Sequence, residues 1–209
     1  MTDSAPTADG GDSDIFRARF NVIAAIFVWI LCAAAVVSVF ATYANSNALV
    51  FLAPIAVVAY LDWMILLRPT VRVDDTGVRL VNVTKTVDVP WEALIQVDTR
   101  YSLTLRTPHG NYAATAAPAP GRVNMTFARS EMPGGRAKVR SMARPSDSTR
   151  TDSGAAAYLV RDRWTRLSEA DRIELGVAET TPVDQTWHWK SLVLCAILVV
   201  GSLIVLALG

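Results

Sequence analysis

Cysteine and histidine are scarce, two of each in 209 residues. That excludes a zinc ribbon, an iron–sulfur site and a disulfide-stapled scaffold, each of which needs ligands or pairs in number. Cys32 and Cys195 both lie in apolar runs, where a thiol behaves as a small hydrophobe. Charge is scarce too. Only 19% of residues are charged, and 20 basic residues against 19 acidic ones leave a net +1. A chain so balanced has no global field to draw a polyanion, so nucleic acid is not an expected partner. No glycine-rich phosphate loop, nucleophile elbow or paired metal-ligand spacing occurs. His109 sits in a turn-like segment and His188 between two tryptophans, far apart in the chain. The sequence therefore predicts no catalytic residues, no cofactor and no metal.

Apolar residues are abundant at 52%, and they are concentrated. Phe20 to Leu61 holds no charged residue. A membrane-spanning helix needs about 20 apolar residues, so this run accommodates two. Asn45-Ser46-Asn47 divides it into spans at 20–44 and 48–67. Pro54 lies inside the second, tolerable where neighbouring helices re-satisfy the backbone. A third uncharged run, 191–209, follows Trp187, Trp189 and Lys190, residue types that anchor a helix at headgroup level. The segment before the first run carries Asp3, Asp9, Asp12 and Asp14 and reads as a disordered acidic tail over 1–19; neither it nor the long run suits a cleaved signal peptide.

Every Lys and Arg falls before residue 20 or within 68–190. By the bias of basic residues toward the inner side, the tail and the central domain are expected in the cytoplasm. The chain reads as a multi-pass plasma-membrane protein.

Between the second and third spans, residues 68–168 read as a soluble domain. Thr70-Val71-Arg72-Val73 alternates, and Asp74-Asp75-Thr76-Gly77 is a turn whose glycine can take the left-handed conformation. Further alternating runs lie at 78–82, 86–89, 94–99, 102–107 and 112–115. Period-two strands joined by turns predict an antiparallel meander with one buried face. Ala157, Val160, Trp164 and Leu167 recur at helical spacing and predict a covering helix, with Ser153 as its N-cap and Arg161, Asp162, Arg163 and Arg166 outward. Residues 169–190 read as a linker.

These residues carry a resemblance. The stretch from Val71 to Asn82, followed by Val89-Pro90-Trp91 and Ile95-Gln96-Val97, resembles the bacterial pleckstrin-homology-like (PH-like) domains of actinobacterial membrane proteins, of the type named after low molecular weight protein antigen 6. The resemblance covers about residues 20–117. It implies membrane α-helical segments plus an α+β domain: an antiparallel PH-like β sandwich or partly open barrel, capped by a C-terminal amphipathic helix. It implies no activity. The third span and the insertion at 118–152 depart from the family's simplest pattern.

Five features invite a functional reading. Trp91 reads as a structural anchor in the domain core. The insertion is polar and basic: over 121–150, Arg122, Arg129, Arg136, Lys138, Arg140, Arg144 and Arg150 stand against Glu131 and Asp147. Without a packing pattern it is expected to be mobile, and the first six cations are candidate contacts for anionic membrane lipid. The turn at 74–77 is acidic where phosphoinositide-binding PH domains are basic, so that ligand is not expected here. Asp62, within the second span, is expected to snorkel or to pair with Arg19 or Arg68, with ion transport as the rival reading. Ala34, Ser38 and Thr42 form a small-residue stripe expected to pack on the second helix, or else on another subunit. The overall expectation is a non-enzymatic membrane protein whose PH-like domain is an interaction or scaffold module. The alternative is an accessory subunit of a larger membrane enzyme or transport complex. The partners expected are membrane lipids and a membrane protein.

Overall fold

The computed structural model describes residues 13–42, 48–118, 151–174 and 176–208. Two apolar helices come first: α1 (Arg19–Thr42) and α2 (Ala48–Asp62), the latter continued by one π turn at Trp63–Leu67. A short strand, β1 (Asp14–Phe16), precedes them. The domain follows with β2 (Thr70–Val73), β3 (Gly77–Val81), β4 (Lys85–Pro90), β5 (Gln96–Asp98), β6 (Ser102–Thr107) and β7 (Gly110–Pro118). The covering helix is α3 (Asp152–Glu169), then β8 (Asp184–Trp187) and a third apolar helix, α4 (Trp189–Leu208).

The strands form two antiparallel sheets, β1-β2-β3-β4-β8 and β5-β6-β7. They face each other without closing, as a partly open sandwich, and α3 covers the side beside β6 and β7. Alternation in the strands puts Val71, Val73, Val78, Leu80, Val87 and Val89 on the inner face of the first sheet. Leu103, Leu105, Tyr112, Ala114 and Ala116 answer them from the second. Ala156, Ala157, Val160 and Leu167 of α3 close the core.

Several sequence expectations need correction. Residues 14–16 are paired: Asp14, Ile15 and Phe16 lie opposite Val73, Arg72 and Val71. The expected linker also contributes a strand, with Asp184 to Trp187 opposite Asp88 to Lys85. Both strands satisfy edge hydrogen bonds that their neighbours offer, which needs no apolar pattern of their own. The N-cap of α3 is Thr151, whose Oγ1 accepts from the Gly154 amide at 3.1 Å; Ser153 is buried inside the first turn. Arg163, expected outward, is only 9% exposed and reaches Asp75 at 3.3 Å. Gly77 does not adopt the left-handed conformation. It is needed because a Cβ there would collide with the Val89 carbonyl and lie 2.9 Å from the Pro90 Cα. Of the insertion expected over 118–152, Pro118 ends β7 and Thr151 and Asp152 open α3, while residues 119–150 lie outside the described residues.

The three apolar helices are each long enough to cross a membrane: Arg19–Thr42, Val50–Leu67 and Trp189–Leu208. α2 packs against both α1 and α4. Ala25 is fully buried in the helix layer, and the Tyr60 hydroxyl donates to the Ser191 carbonyl at 3.1 Å. The stripe of Ala34, Ser38 and Thr42 is instead exposed, and the Ser38 hydroxyl turns back onto the Ala34 carbonyl. It does not pack on α2.

Candidate functional site

Three strands of the first sheet run almost directly into the three apolar helices. Arg17 and Ala18 separate β1 from α1, Arg68 and Pro69 separate the π turn from β2, and His188 alone separates β8 from α4. The strand register makes these junctions coincide in space. Phe16 pairs with Val71, Thr70 with Val81, Val81 with Thr86, and Lys85 with Trp187. All three helix junctions and the β3–β4 turn therefore lie at one end of the sheet, and helices that cross a membrane put that end at its surface.

The junctions are tied. Arg68 N–H donates to the Trp63 carbonyl at 2.9 Å, closing the π turn. His188 N–H donates to the Thr84 carbonyl at 2.8 Å, while the His188 carbonyl accepts from Ser191 and Leu192. The His188 ring lies 3.1 Å from the Thr86 hydroxyl. Burial, and then the charge of Arg68, push this imidazole below its ordinary pKa. Connections of one or two residues, two of them hydrogen-bonded through Arg68 and His188, leave little room for a hinge. The domain stands on three legs.

Aromatic and basic side chains ring this end. Trp187 and Trp189 stack with centroids 5.9 Å apart and are 53% and 65% exposed. Lys85 Nζ lies 5.5 Å from the Trp187 ring and 5.9 Å from that of Tyr112, and donates to Gln185 Oε1 at 2.8 Å. Arg17, Arg19 and Lys190 are exposed. Arg68 does not pair with Asp62; its guanidinium lies 5.7 Å from the Trp63 ring centre. Asp62 is only 7% exposed, and its Oδ2 finds no hydrogen-bond partner among the described residues. Neither snorkelling nor the expected ion pairs describe it.

α3 begins at this end and finishes at the other. Its first residue, Asp152, feels the charge of Arg19; burial nevertheless leaves its carboxyl above the ordinary value. At the opposite end stands the acidic turn. Asp74 Oδ1 accepts from the Thr76 amide (2.8 Å), the Thr76 hydroxyl (2.6 Å) and the Gly77 amide (3.1 Å). Burial alone would raise this carboxyl, but those bonds together with Arg79 hold it below its ordinary value. Asp75 is engaged by Arg163 and by Arg172, the latter at 3.0 Å. The turn that carries phosphate-binding charge in phosphoinositide-reading PH domains is here acidic, already occupied, and on the end away from the helices.

Trp91 is 2% exposed, in a 3₁₀ turn after β4, and its indole N–H donates to the Asp74 carbonyl at 3.0 Å. The candidate lipid contacts Arg122, Arg129, Arg136, Lys138, Arg140 and Arg144 lie outside the described residues. In the sequence Asn82 only closes the alternating run 78–82 and the stretch that carries the resemblance. It is in fact buried, and joins the two sheets. Its Nδ2 donates to the Ala113 carbonyl at 2.9 Å, and its Oδ1 accepts from the Thr115 amide at 2.8 Å and hydroxyl at 2.9 Å. A polar residue closing a run of strand alternation was the available signal.

A two-sheet sandwich capped by a helix and mounted on three apolar helices defines a membrane protein with a PH-like domain. Residues 68–143 match the family model of the bacterial PH domain. The match begins at the residue after the π turn, and leaves β1, α3, β8 and the three apolar helices outside it. No curated protein and no solved structure matches the chain.

Proposed function

We propose that the chain is a non-enzymatic interaction platform of the plasma membrane, its PH-like domain held rigidly on the cytoplasmic side. The observation that carries this reading is the mounting. Three short junctions, two of them hydrogen-bonded, fix the domain's height and orientation, as suits a surface presented to a neighbour in the same membrane. The side built from α3 and β5 exposes Ile95, Tyr101 and Tyr158, and Tyr101 is 82% exposed. Exposed aromatics of this kind are what a protein interface uses as anchors. The Gly77, Asn82 and Pro90-Trp91 pattern supports the actinobacterial antigen-6 type. The net charge near zero argues against nucleic acid, while the basic insertion, which re-enters the fold at Asp152 beside Arg19, favours membrane lipid as a second partner. Purification of the full chain in mild detergent tests the platform. A membrane protein should co-purify with it, and Tyr101→Ser should release that protein. A chain that purifies alone from its native membrane would overturn the reading.

A second reading has its own observation. The exposed stripe of Ala34, Ser38 and Thr42 lets another helix approach α1 closely. That favours an accessory subunit of a larger membrane complex, contacted through the helices. Ser38→Leu, rather than Tyr101→Ser, would then release the co-purifying protein.

A further inference from the structure

We propose that the membrane-proximal end of the first sheet is a binding surface for the headgroups of anionic phospholipid, with Lys85 and Lys190 beside the Trp187–Trp189 pair as its contact points. Trp189 is the first residue of a helix that spans a membrane, so its ring lies at headgroup level. Trp187 stacks on it and shares that level. Lys85 is held against this cluster by the Trp187 and Tyr112 rings and by Gln185. An ammonium has three donors, and Gln185 takes one, leaving two for phosphate oxygens. Lys190 follows Trp189 directly and is exposed.

Exposed cations gather at the helix end, as this requires: Arg17, Arg19 and Lys190, with half-buried Lys85. Among the described residues at this end, Asp62 is buried, while Asp152 is half-buried and feels the charge of Arg19. The far end is mixed: Asp14, Asp74, Asp75 and Asp184 lie there with Arg163 and Arg172, which both engage Asp75. A zwitterionic headgroup also presents a cation, and this collar offers little exposed carboxylate to receive it. An anionic headgroup meets the lysine ammoniums and the two exposed indoles. The surface is distinct from the acidic turn at 74–77 and from the basic insertion.

The test uses full-length chain in mild detergent, titrated with phosphatidylglycerol or phosphatidylcholine, with retained lipid counted by native mass spectrometry. Phosphatidylglycerol should be retained at least threefold over phosphatidylcholine. The preference should persist when Arg136, Lys138 and Arg140 are all changed to Gln, and fall by at least half in the Lys85→Gln/Lys190→Gln variant. Lys190→Gln alone, at an exposed position, serves as a second variant should Lys85→Gln disturb folding, and should lower the preference by itself. Equal retention of the two lipids overturns the proposal. So does a preference that survives loss of both lysines and disappears when the insertion is neutralised.

Discussion

The Trp91 indole N–H donates to the Asp74 carbonyl across 3.0 Å, joining the turn after β4 to the turn before β3. Asp75, one residue on, binds Arg163 and Arg172 from α3 and the segment after it. One tryptophan and one acidic turn thus lock sheet to helix at the end away from the membrane. Trp91→Ala should destabilise the domain by about 3–5 kcal/mol, the usual cost of emptying a buried aromatic site. Trp91→Phe should cost less, since it keeps most of the packing and loses the hydrogen bond, worth about 0.5–1.5 kcal/mol. Thermal unfolding of the full chain in detergent separates the two. Equal melting of wild type and Trp91→Ala would mean that the site is not an anchor.

The Asn82 amide carries the second prediction. Asn82→Ala removes all three hydrogen bonds of the sheet-to-sheet link and leaves the Thr115 amide and hydroxyl and the Ala113 carbonyl to find other partners. A loss of about 1–3 kcal/mol is expected. Asn82→Asp should be no better, because a carboxylate accepts from Thr115 but cannot donate to Ala113. Hydrogen exchange at Thr115 reads the link directly; protection unchanged in Asn82→Ala would dismiss it.

What the sequence disclosed follows physical lines. The spans were legible because a run without charge needs no tertiary information. The central strands were legible because Val71, Val73, Leu80 and Val87 alternate toward one core. β1 and β8 were not, since Asp-Gln-Thr-Trp has no apolar alternation and becomes a strand only because β4 offers an unpaired edge. Arg163 was placed outward by helical spacing, and its inward position depends on Asp75, remote in sequence. The site was the least legible part: that Arg17, Arg68, Lys85 and Lys190 share one level follows from register, which composition does not encode.

His188 gives a pH prediction. Its folded pKa lies below the ordinary 6.5, so the unfolded chain binds a proton that the folded chain refuses. Stability from this group is therefore complete above about pH 6.5 and declines as pH falls from there toward the folded pKa. The lowered carboxyl of Asp74 acts in the same direction but below its ordinary 3.8, outside this window. The melting temperature should fall between pH 7.5 and 5, and His188→Gln should flatten that slope. An identical slope in the variant would assign the effect elsewhere.

Topology is testable at Tyr101, the most exposed residue of the domain side proposed for protein contact. With Cys32 and Cys195 replaced by Ser, Tyr101→Cys should resist a membrane-impermeant maleimide in intact cells and react once they are opened. Labelling in intact cells would put the domain outside and reverse the orientation argued from Arg17, Arg19, Arg68 and Lys190.

Asp62 separates a structural liability from a transport residue. Its Oδ2 is buried beside the π turn with no partner among the described residues, and nearby Arg68 stacks on Trp63 instead. Holding a carboxylate there costs free energy that a neutral isostere does not. If Asp62 has no functional ligand, Asp62→Asn should leave folding and partner binding intact and raise stability by about 1 kcal/mol or more. A residue that binds and releases a proton or ion would behave differently. Asp62→Asn would then abolish pH- or ion-driven flux in proteoliposomes, whatever it did to the melting temperature. Among the described residues, α1 and α4 offer only scattered Asn21, Ser38, Thr42, Ser191 and Ser202 as Asn, Ser or Thr side chains, and of these only Ser202 is buried. Ser38 and Thr42 are exposed, and Ser38 is bonded to its own helix. A relay needs successive sites within proton-transfer reach, so the expected result is a more stable variant with no flux to lose.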